Sequence, residues 1–350
     1  MSRPRLGFLG VGWIGQHRMG AIVESGEAEV AAVADASPAL AAEAAATLAP
    51  MARVVASLDE LLALDLDGIV IATPSALHAE QCIAALERGV AVFCQKPLGR
   101  SGEETHRAIA AARSADRLLG VDLSYRHTAA VEAMRRELPS IGELYAADLV
   151  FHNAYGPDKP WFYDARQSGG GCLIDLGIHL VDLGLWMFGN PRVRDVRGRL
   201  FAKGAPFVRD GAAVEDHALL DLELESGAAM RVACSWNLSA GRDAEIGATF
   251  YGTRGAVSLH NEHGSFYDFT AERFEKTSRR TLASPPDAWG GRAAVAWVRQ
   301  LARSRRFDES IASLEEVARV LDAVYGMHER RSGFSPTSRA EARPTLEISS

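Results

Sequence analysis

Arg5-Leu6-Gly7-Phe8-Leu9-Gly10-Val11-Gly12-Trp13-Ile14-Gly15 decides how the chain is read. A short apolar run closes on G-x-G-x-x-G and passes at once into a helical pattern. That order has a physical use. The first glycine makes the tight turn, the second lets the backbone approach a pyrophosphate, the third lets helix pack on strand, and the helix N-terminus supplies amide donors. Asp35 follows at the end of the second expected strand, where a carboxylate accepts hydrogen bonds from an adenosine ribose diol. Gly10, Gly12, Trp13, Ile14, Gly15 and Asp35 are therefore expected to hold a dinucleotide. The charge of Asp35 repels a 2′-phosphate and no Lys or Arg lies in residues 36–49 to offset it, so NAD is expected over NADP.

Working outward, short β-type runs at 5–10, 29–35, 53–56, 68–73, 91–95 and 118–123 alternate with alanine-rich helical runs. This is the pattern of a doubly wound parallel sheet covered on both faces. Ser37-Pro38, Ser57-Leu58-Asp59-Glu60 and Ser101-Gly102-Glu103-Glu104 mark helix starts. In such sheets ligands gather at the carboxyl ends of the strands. Thr73-Pro74 and Gln95-Lys96-Pro97 fall at two of those ends, and a lysine there is placed to polarise a substrate oxygen.

A second stretch, Gly169-Gly170-Gly171-Cys172-Leu173-Ile174-Asp175-Leu176-Gly177-Ile178-His179-Leu180-Val181-Asp182, carries the remaining chemistry. One helix over 174–188 puts Asp175, His179 and Asp182 on a single face. Its other positions are apolar enough to bury it, so the polar groups must find partners or ligands.

The second half changes character. Residues 125–138 read as a bridging helix and 143–153 as a strand. From Val193 onward β-structure dominates: Leu220, Leu222 and Leu224 alternate with acids, then Met230, Val232, Cys234 and Trp236 with polar or small residues. Residues 245–252 and 256–261 form a further hairpin, and helices at 291–303 and 313–331 close the domain. The expected division is 1–122 for the dinucleotide domain, 123–335 for a substrate-binding and oligomerisation domain, and 336–350 for a tail.

Composition excludes other classes. A chain of 350 residues with net charge -7 and 47% hydrophobic residues has no basic surface for nucleic acid or anionic membrane. The four cysteines form no C-x-x-C pair, which fits a reducing cytoplasm. No export signal and no membrane span are read. His217, His260 and His263 lack a compact ligand spacing, so no metal is expected.

Gly10-x-Gly12-x-x-Gly15, Ala72-Thr73-Pro74 with His78, the run from Gly89 through Gln95-Lys96-Pro97 to Leu98, and Gly169-Gly170-Gly171 with Asp175, His179 and Asp182 together resemble the glucose-fructose oxidoreductase / inositol dehydrogenase (Gfo/Idh/MocA) family over about residues 4–330. The resemblance implies a Rossmann domain followed by an α+β domain on a largely antiparallel open sheet, and homodimers or homotetramers assembled through that sheet. It implies hydride transfer between nicotinamide and a secondary alcohol or ketone of a sugar, an inositol-like cyclitol or a related polyol. His179 becomes the general acid/base, Lys96 a donor to the same oxygen, and Asp175 either the group orienting His179 or a substrate ligand. The charge of Asp175 is expected to favour a protonated imidazole. Thr73, Pro74, His78, Gln95 and Lys96 join the cofactor residues; His152, Asn153, Trp161 and Asp182 are candidates for the substrate pocket. Family members usually carry Glu where this chain has Gln95, which removes a charge beside Lys96. Two alternatives use the same residues: an NAD-recycling lyase or glycoside hydrolase acting through transient oxidation of a sugar hydroxyl, and a non-catalytic nucleotide-binding protein.

Overall fold

The alternating first third folds into a parallel sheet of β1 (Arg5–Leu9), β2 (Glu29–Ala34), β3 (Arg53–Val54), β4 (Gly68–Ile71), β5 (Ala91–Cys94) and β6 (Leu119–Val121), ordered β3-β2-β1-β4-β5-β6. This computed structural model describes residues 3–328. The order places β1 and β4 side by side at the point where the winding reverses, which opens a crevice at the strands' carboxyl ends. The ladders stop short of Gly10, Asp35, Thr73 and Gln95, so those residues are free to build turns. Every residue of β4 and β5 is buried, because helices α1 (Trp13–Ser25), α2 (Pro38–Leu48), α3 (Leu58–Leu62), α4 (Ser75–Glu87) and α5 (Gly102–Ala115) cover both faces. Ser37, Ser57 and Ser101 cap α2, α3 and α5 by accepting the amides of Leu40, Glu60 and Glu104.

The expected bridging helix is broken in two. A 3₁₀ turn, Ser124–His127, precedes α6 (Ala129–Ile141), and the Thr128 hydroxyl between them accepts the Val131 amide at 3.1 Å. A nine-stranded sheet follows, made of β7 (Leu144–Asn153), β8 (Val193–Ala202), β9 (Ala205–Pro206), β10 (His217–Leu224), β11 (Ala229–Ser235), β12 (Ala244–Gly252), β13 (Gly255–Asn261), β14 (Phe269–Glu275) and β15 (Ser278–Ala283). Its order is β15-β14-β13-β12-β7-β11-β10-β8-β9, with β7 and β11 parallel and every other pair antiparallel. The expected hairpin has Leu220 opposite Val232 and Leu222 opposite Met230, all buried. α6, the short α7 (Ala165–Ser168), α8 (Ile178–Met187) and α10 (Ser313–Met327) lie among the elements of this half.

α9 (Arg292–Arg303), read from sequence as closing the second domain, packs instead on the parallel sheet. The Trp297 ring lies 5.7 Å from that of Phe93, and a Cβ on Gly68 or Gly120 would come within 2.7 or 2.6 Å of it. Residues 118–123 thus run under a helix supplied from late in the chain. The expected tail at 336–350 and the last residues of the final helix lie outside the described residues. The segment Ala165–Met187 is long and apolar enough by length and composition to cross a membrane, but it carries Asp175 and Asp182, and 83% of its apolar window is buried within the fold.

Candidate active site

Glycine is required at 169–171 by close approach. Gly169 has φ +90°, a Cβ on Gly170 would lie 2.0 Å from the Tyr325 hydroxyl, and one on Gly171 1.8 Å from the Glu215 carbonyl. Glu215, fully buried, accepts the amides of Gly171 (3.0 Å) and Leu173 (2.9 Å) and the Tyr325 hydroxyl (2.9 Å). Its carboxylate therefore sits on the orphan donors at the start of the helical segment, where negative charge is favoured. Burial pushes its pKa up and those donors push it down.

The segment opens as a π-helical turn, Leu173–Gly177, before α8. π-turns recur at functional sites because the wider coil re-aims side chains. Here Asp175 points at β5: Lys96 Nζ donates to its Oδ1 at 2.6 Å and to its carbonyl at 2.8 Å. Trp236 Nε1 donates to its other oxygen, Oδ2, at 3.1 Å. Asp175 makes no hydrogen bond to His179, so its expected orienting role is not what the geometry shows.

His179 is partly buried and, among the described residues, none hydrogen-bonds its ring. The Tyr125 ring meets it edge-on, centroids 5.1 Å apart. Burial pushes the His179 pKa well below 6.5, and the charges of Lys96 and Arg18 act in the same direction. The expectation of an imidazolium favoured by Asp175 is corrected: Asp175 is committed to Lys96, and burial with the Lys96 and Arg18 charges favours the neutral ring. Burial, and secondarily the Asp175 charge, also raise the Tyr125 pKa, so the phenol stays protonated.

The other pocket candidates divide. Asn153 leaves β7 on the same side as Phe151, and its Oδ1 is buried without a hydrogen-bond partner among the described residues. His152 points to the opposite face of the sheet, because strand alternation reverses successive side chains. There Nδ1 meets Ser235 Oγ at 2.8 Å and the ring stacks on His217, which removes it from the cleft. Asp182 is 2% exposed, with both oxygens taken by Arg126, Nε donating to Oδ2 at 2.8 Å and Nη2 to Oδ1. It is an internal ion pair rather than a pocket lining. Trp161 stacks on Phe162, whose ring reaches the edge of Trp236, so it borders the Asp175 side of the cleft indirectly.

On the cofactor side, Gly10 has φ +85° and lies against the Ala72 backbone, while a Cβ on Gly15 would fall 2.1 Å from the Gly10 carbonyl oxygen. A Cβ on Gly12 meets nothing within 4 Å, so the loop is open where a pyrophosphate approaches. Trp13 is exposed and Ile14 partly so. Asp35 Oδ2 accepts the Val11 amide and Oδ1 the Ser37 amide, each at 2.8 Å. The carboxylate both braces the glycine turn and keeps lone pairs for a diol. Thr73 Oγ1 is committed to Gln81 at 2.6 Å, and Pro74 precedes α4 as its N-cap. His78, 1% exposed, has Nδ1 2.7 Å from the Pro97 carbonyl and Nε2 2.7 Å from that of Thr73. It staples the ends of β4 and β5 together, with both ring nitrogens set against backbone carbonyls. Burial lowers its pKa against the pull of the two carbonyls. Among the described residues no group of three or more His, Cys, Asp or Glu side chains gathers where a metal ion fits.

Glu215, Trp236, Tyr125, Arg126, Arg18 and Asp122 escape a reading from sequence. Trp236 alone carried a signal, as the last inward position of the β11 alternation. The partners of the others are distant in the chain and fixed only by the fold.

Comparison with known proteins shows the family and the fold. Residues 5–123 match a family model described as an oxidoreductase family with an NAD-binding Rossmann fold, and residues 137–258 match the GFO/IDH/MocA C-terminal domain. A putative UDP-kanosamine synthase oxidoreductase subunit of Amycolatopsis mediterranei is 31% identical over 257 residues, 69% of this chain and 71% of the relative. Inositol 2-dehydrogenase of Acidothermus cellulolyticus is 27% identical over 340 residues, 88% of this chain and 94% of its own. A solved levoglucosan dehydrogenase in complex with NADH superposes with a TM-score of 0.80 at 22% identity, covering 94% of this chain and 98% of the other, a likeness of fold.

Proposed function

The chain belongs to the Gfo/Idh/MocA oxidoreductase family, and on that premise we propose that it is an NAD-dependent dehydrogenase interconverting a secondary alcohol and a ketone on a sugar, an inositol-like cyclitol or a related polyol. One observation carries the reading. Lys96, locked on Asp175 just past the carboxyl end of β5, acts electrostatically on His179, whose ring no described residue hydrogen-bonds. When bound, NAD supplies the hydride-accepting ring, held by the Gly10–Gly15 turn, by Asp35 and by the ends of β4 and β5.

His179 accepts the hydroxyl proton, since burial and two nearby cations keep its ring neutral and ready to act as base. Lys96 donates a hydrogen bond to the same oxygen and stabilises negative charge developing on it. Asp175 fixes the lysine through two contacts and is itself fixed by Trp236. Asn153 Oδ1, an acceptor buried without a donor, is suited to a neighbouring substrate hydroxyl, because such atoms are seldom left unpaired. Asp35 favours NAD over NADP. The outer sheet face around His152, His217 and the half-exposed Leu219 is the surface we assign to self-association.

A panel of cyclitols, aldoses and keto-sugars, assayed with NAD and NADP in both directions, tests the reading. Stoichiometric NADH formation with at least one polyol supports it. Product released without accumulated NADH moves the assignment to a cofactor-recycling lyase or hydrolase.

A further inference from the structure

Behind Lys96 lies a buried polar cluster that takes up Gln95, expected from sequence to meet the cofactor, and that enters the steps above only through the Arg18 charge felt by His179. Asp122, 1% exposed at the end of β6, accepts Arg18 Nε and Gln95 Nε2 on the same oxygen, Oδ2, each at 2.5 Å, and the Ser124 hydroxyl on Oδ1. Arg18 Nη2 also reaches Ser124 Oγ at 3.2 Å. All four side chains are buried. The cluster joins three parts of the site: α1, which carries the glycine turn; β5, which leads through Gln95 to Lys96; and the Ser124–His127 turn, which sets Tyr125 against His179.

We propose that Arg18, Asp122 and Gln95 form one positioning unit that holds the Lys96 turn and the Tyr125 turn in register, and that residue 95 must be a hydrogen-bond donor because Asp122 supplies the unit's carboxylate. The chemistry is local. A carboxylate oxygen receiving two donors tolerates an amide beside it and rejects a second carboxylate, since like charges at that separation force the pair to retain a proton. Gln95 thus completes a unit whose negative charge sits one strand over, at Asp122, matched by the Arg18 guanidinium. The titratable groups that feel the charges of the unit are His17 beside Arg18 on α1, Cys94 at the end of β5 and His127 from the turn, while His179 lies within electrostatic reach of Arg18.

The inference rests on the dehydrogenase reading for its catalytic consequence, and on the fold alone for its structural one. The test uses Gln95→Glu, Asp122→Asn and the double variant, each compared with wild type between about pH 6 and about pH 9. The readouts are melting temperature and polyol-dependent NADH formation, each taken relative to wild type at the same pH. At low pH the carboxyl group introduced by Gln95→Glu is protonated and still donates to Asp122, so this variant is near wild type. As pH rises and that proton is lost, its relative turnover falls at least about tenfold and its relative melting temperature falls with it. In the double variant amide and acid have exchanged places, and the pH-dependent loss disappears. Ratios that stay flat with pH in Gln95→Glu, or an undiminished loss in the double variant, overturn the proposal. If Gln95→Glu fails to fold, recovery of a cooperative melt in the double variant supports the unit, and failure of both overturns it. If wild type turns over no polyol, the dehydrogenase reading fails while the melting profiles still decide this inference.

Discussion

Replacing Lys96 with Met keeps the length of the side chain and removes its charge and donors. Two contacts vanish, at 2.6 and 2.8 Å, both to Asp175, from side chains only 19% and 14% exposed. Asp175 then keeps Trp236 Nε1 as its donor. Because Lys96 also touches the reacting oxygen in the proposed chemistry, turnover should fall about 10²- to 10⁴-fold, equivalent to roughly 3–5.5 kcal/mol of transition-state stabilisation. The pH profile gives an independent sign. The Lys96 charge is one of the causes holding the His179 pKa down, so its removal raises that pKa and shifts the acid limb of kcat/KM to higher pH. Affinity for NADH, read by fluorescence titration, should stay within about threefold, since uniform binding of cofactor is not what this residue provides. Steady-state NADH formation across pH is the assay. Near-normal turnover, or an acid limb that moves to lower pH, refutes the assigned role.

Glu215→Ala orphans two buried amides and the Tyr325 hydroxyl at the start of the π-turn; at roughly 1–2 kcal/mol per donor the expected loss is about 3–6 kcal/mol in urea unfolding, and a loss below about 1 kcal/mol contradicts the anchoring role. Arg126→Leu strands the Asp182 carboxylate in the interior and should cost about 3–5 kcal/mol, most of it regained in Arg126→Leu/Asp182→Leu; equal melting temperatures for single and double variants would contradict this. Asp35→Ala should lower NAD affinity and erase the preference over NADP, which competition binding reads directly; an unchanged preference places discrimination elsewhere. A histidine whose folded pKa is depressed takes up protons on unfolding, so the stability linked to His179 is full above its unfolded value of 6.5 and is lost as pH falls toward the folded one. His179→Gln should flatten part of the decline in melting temperature on the acid side, and an unaltered profile would show that the ring is not buried neutral.

What the chain discloses before folding depends on how local each cause is. The glycine turn, the serine caps and the period-two strands act over a few residues, so the parallel sheet and the β10–β11 hairpin are legible in place. Lys96, Asp175 and His179 are legible as residues: the lysine falls at a strand's carboxyl end, the other two are polar groups on an apolar helix, and the family resemblance joins them. Their connections are not. The π-turn is set by Glu215, 44 residues beyond Gly171, and no helical periodicity foretells it. Asp182 sits at the spacing of a cleft residue, yet Arg126, 56 residues earlier, covers it. His152 and Asn153 are neighbours with opposite fates, decided by which face of β7 meets the helices. α9 packs on the first sheet because Gly68 and Gly120 leave room for Trp297, a fit that no hydropathy pattern records.

The claim that His179 is the proton acceptor of an NAD-dependent polyol oxidation is tested most directly by His179→Ala, measured as steady-state NADH formation on the best polyol of the panel alongside NADH binding. The expected result is a fall in kcat/KM of about 10²- to 10⁴-fold with cofactor affinity and melting cooperativity retained. Turnover within a few-fold of wild type, with the same pH profile, contradicts it.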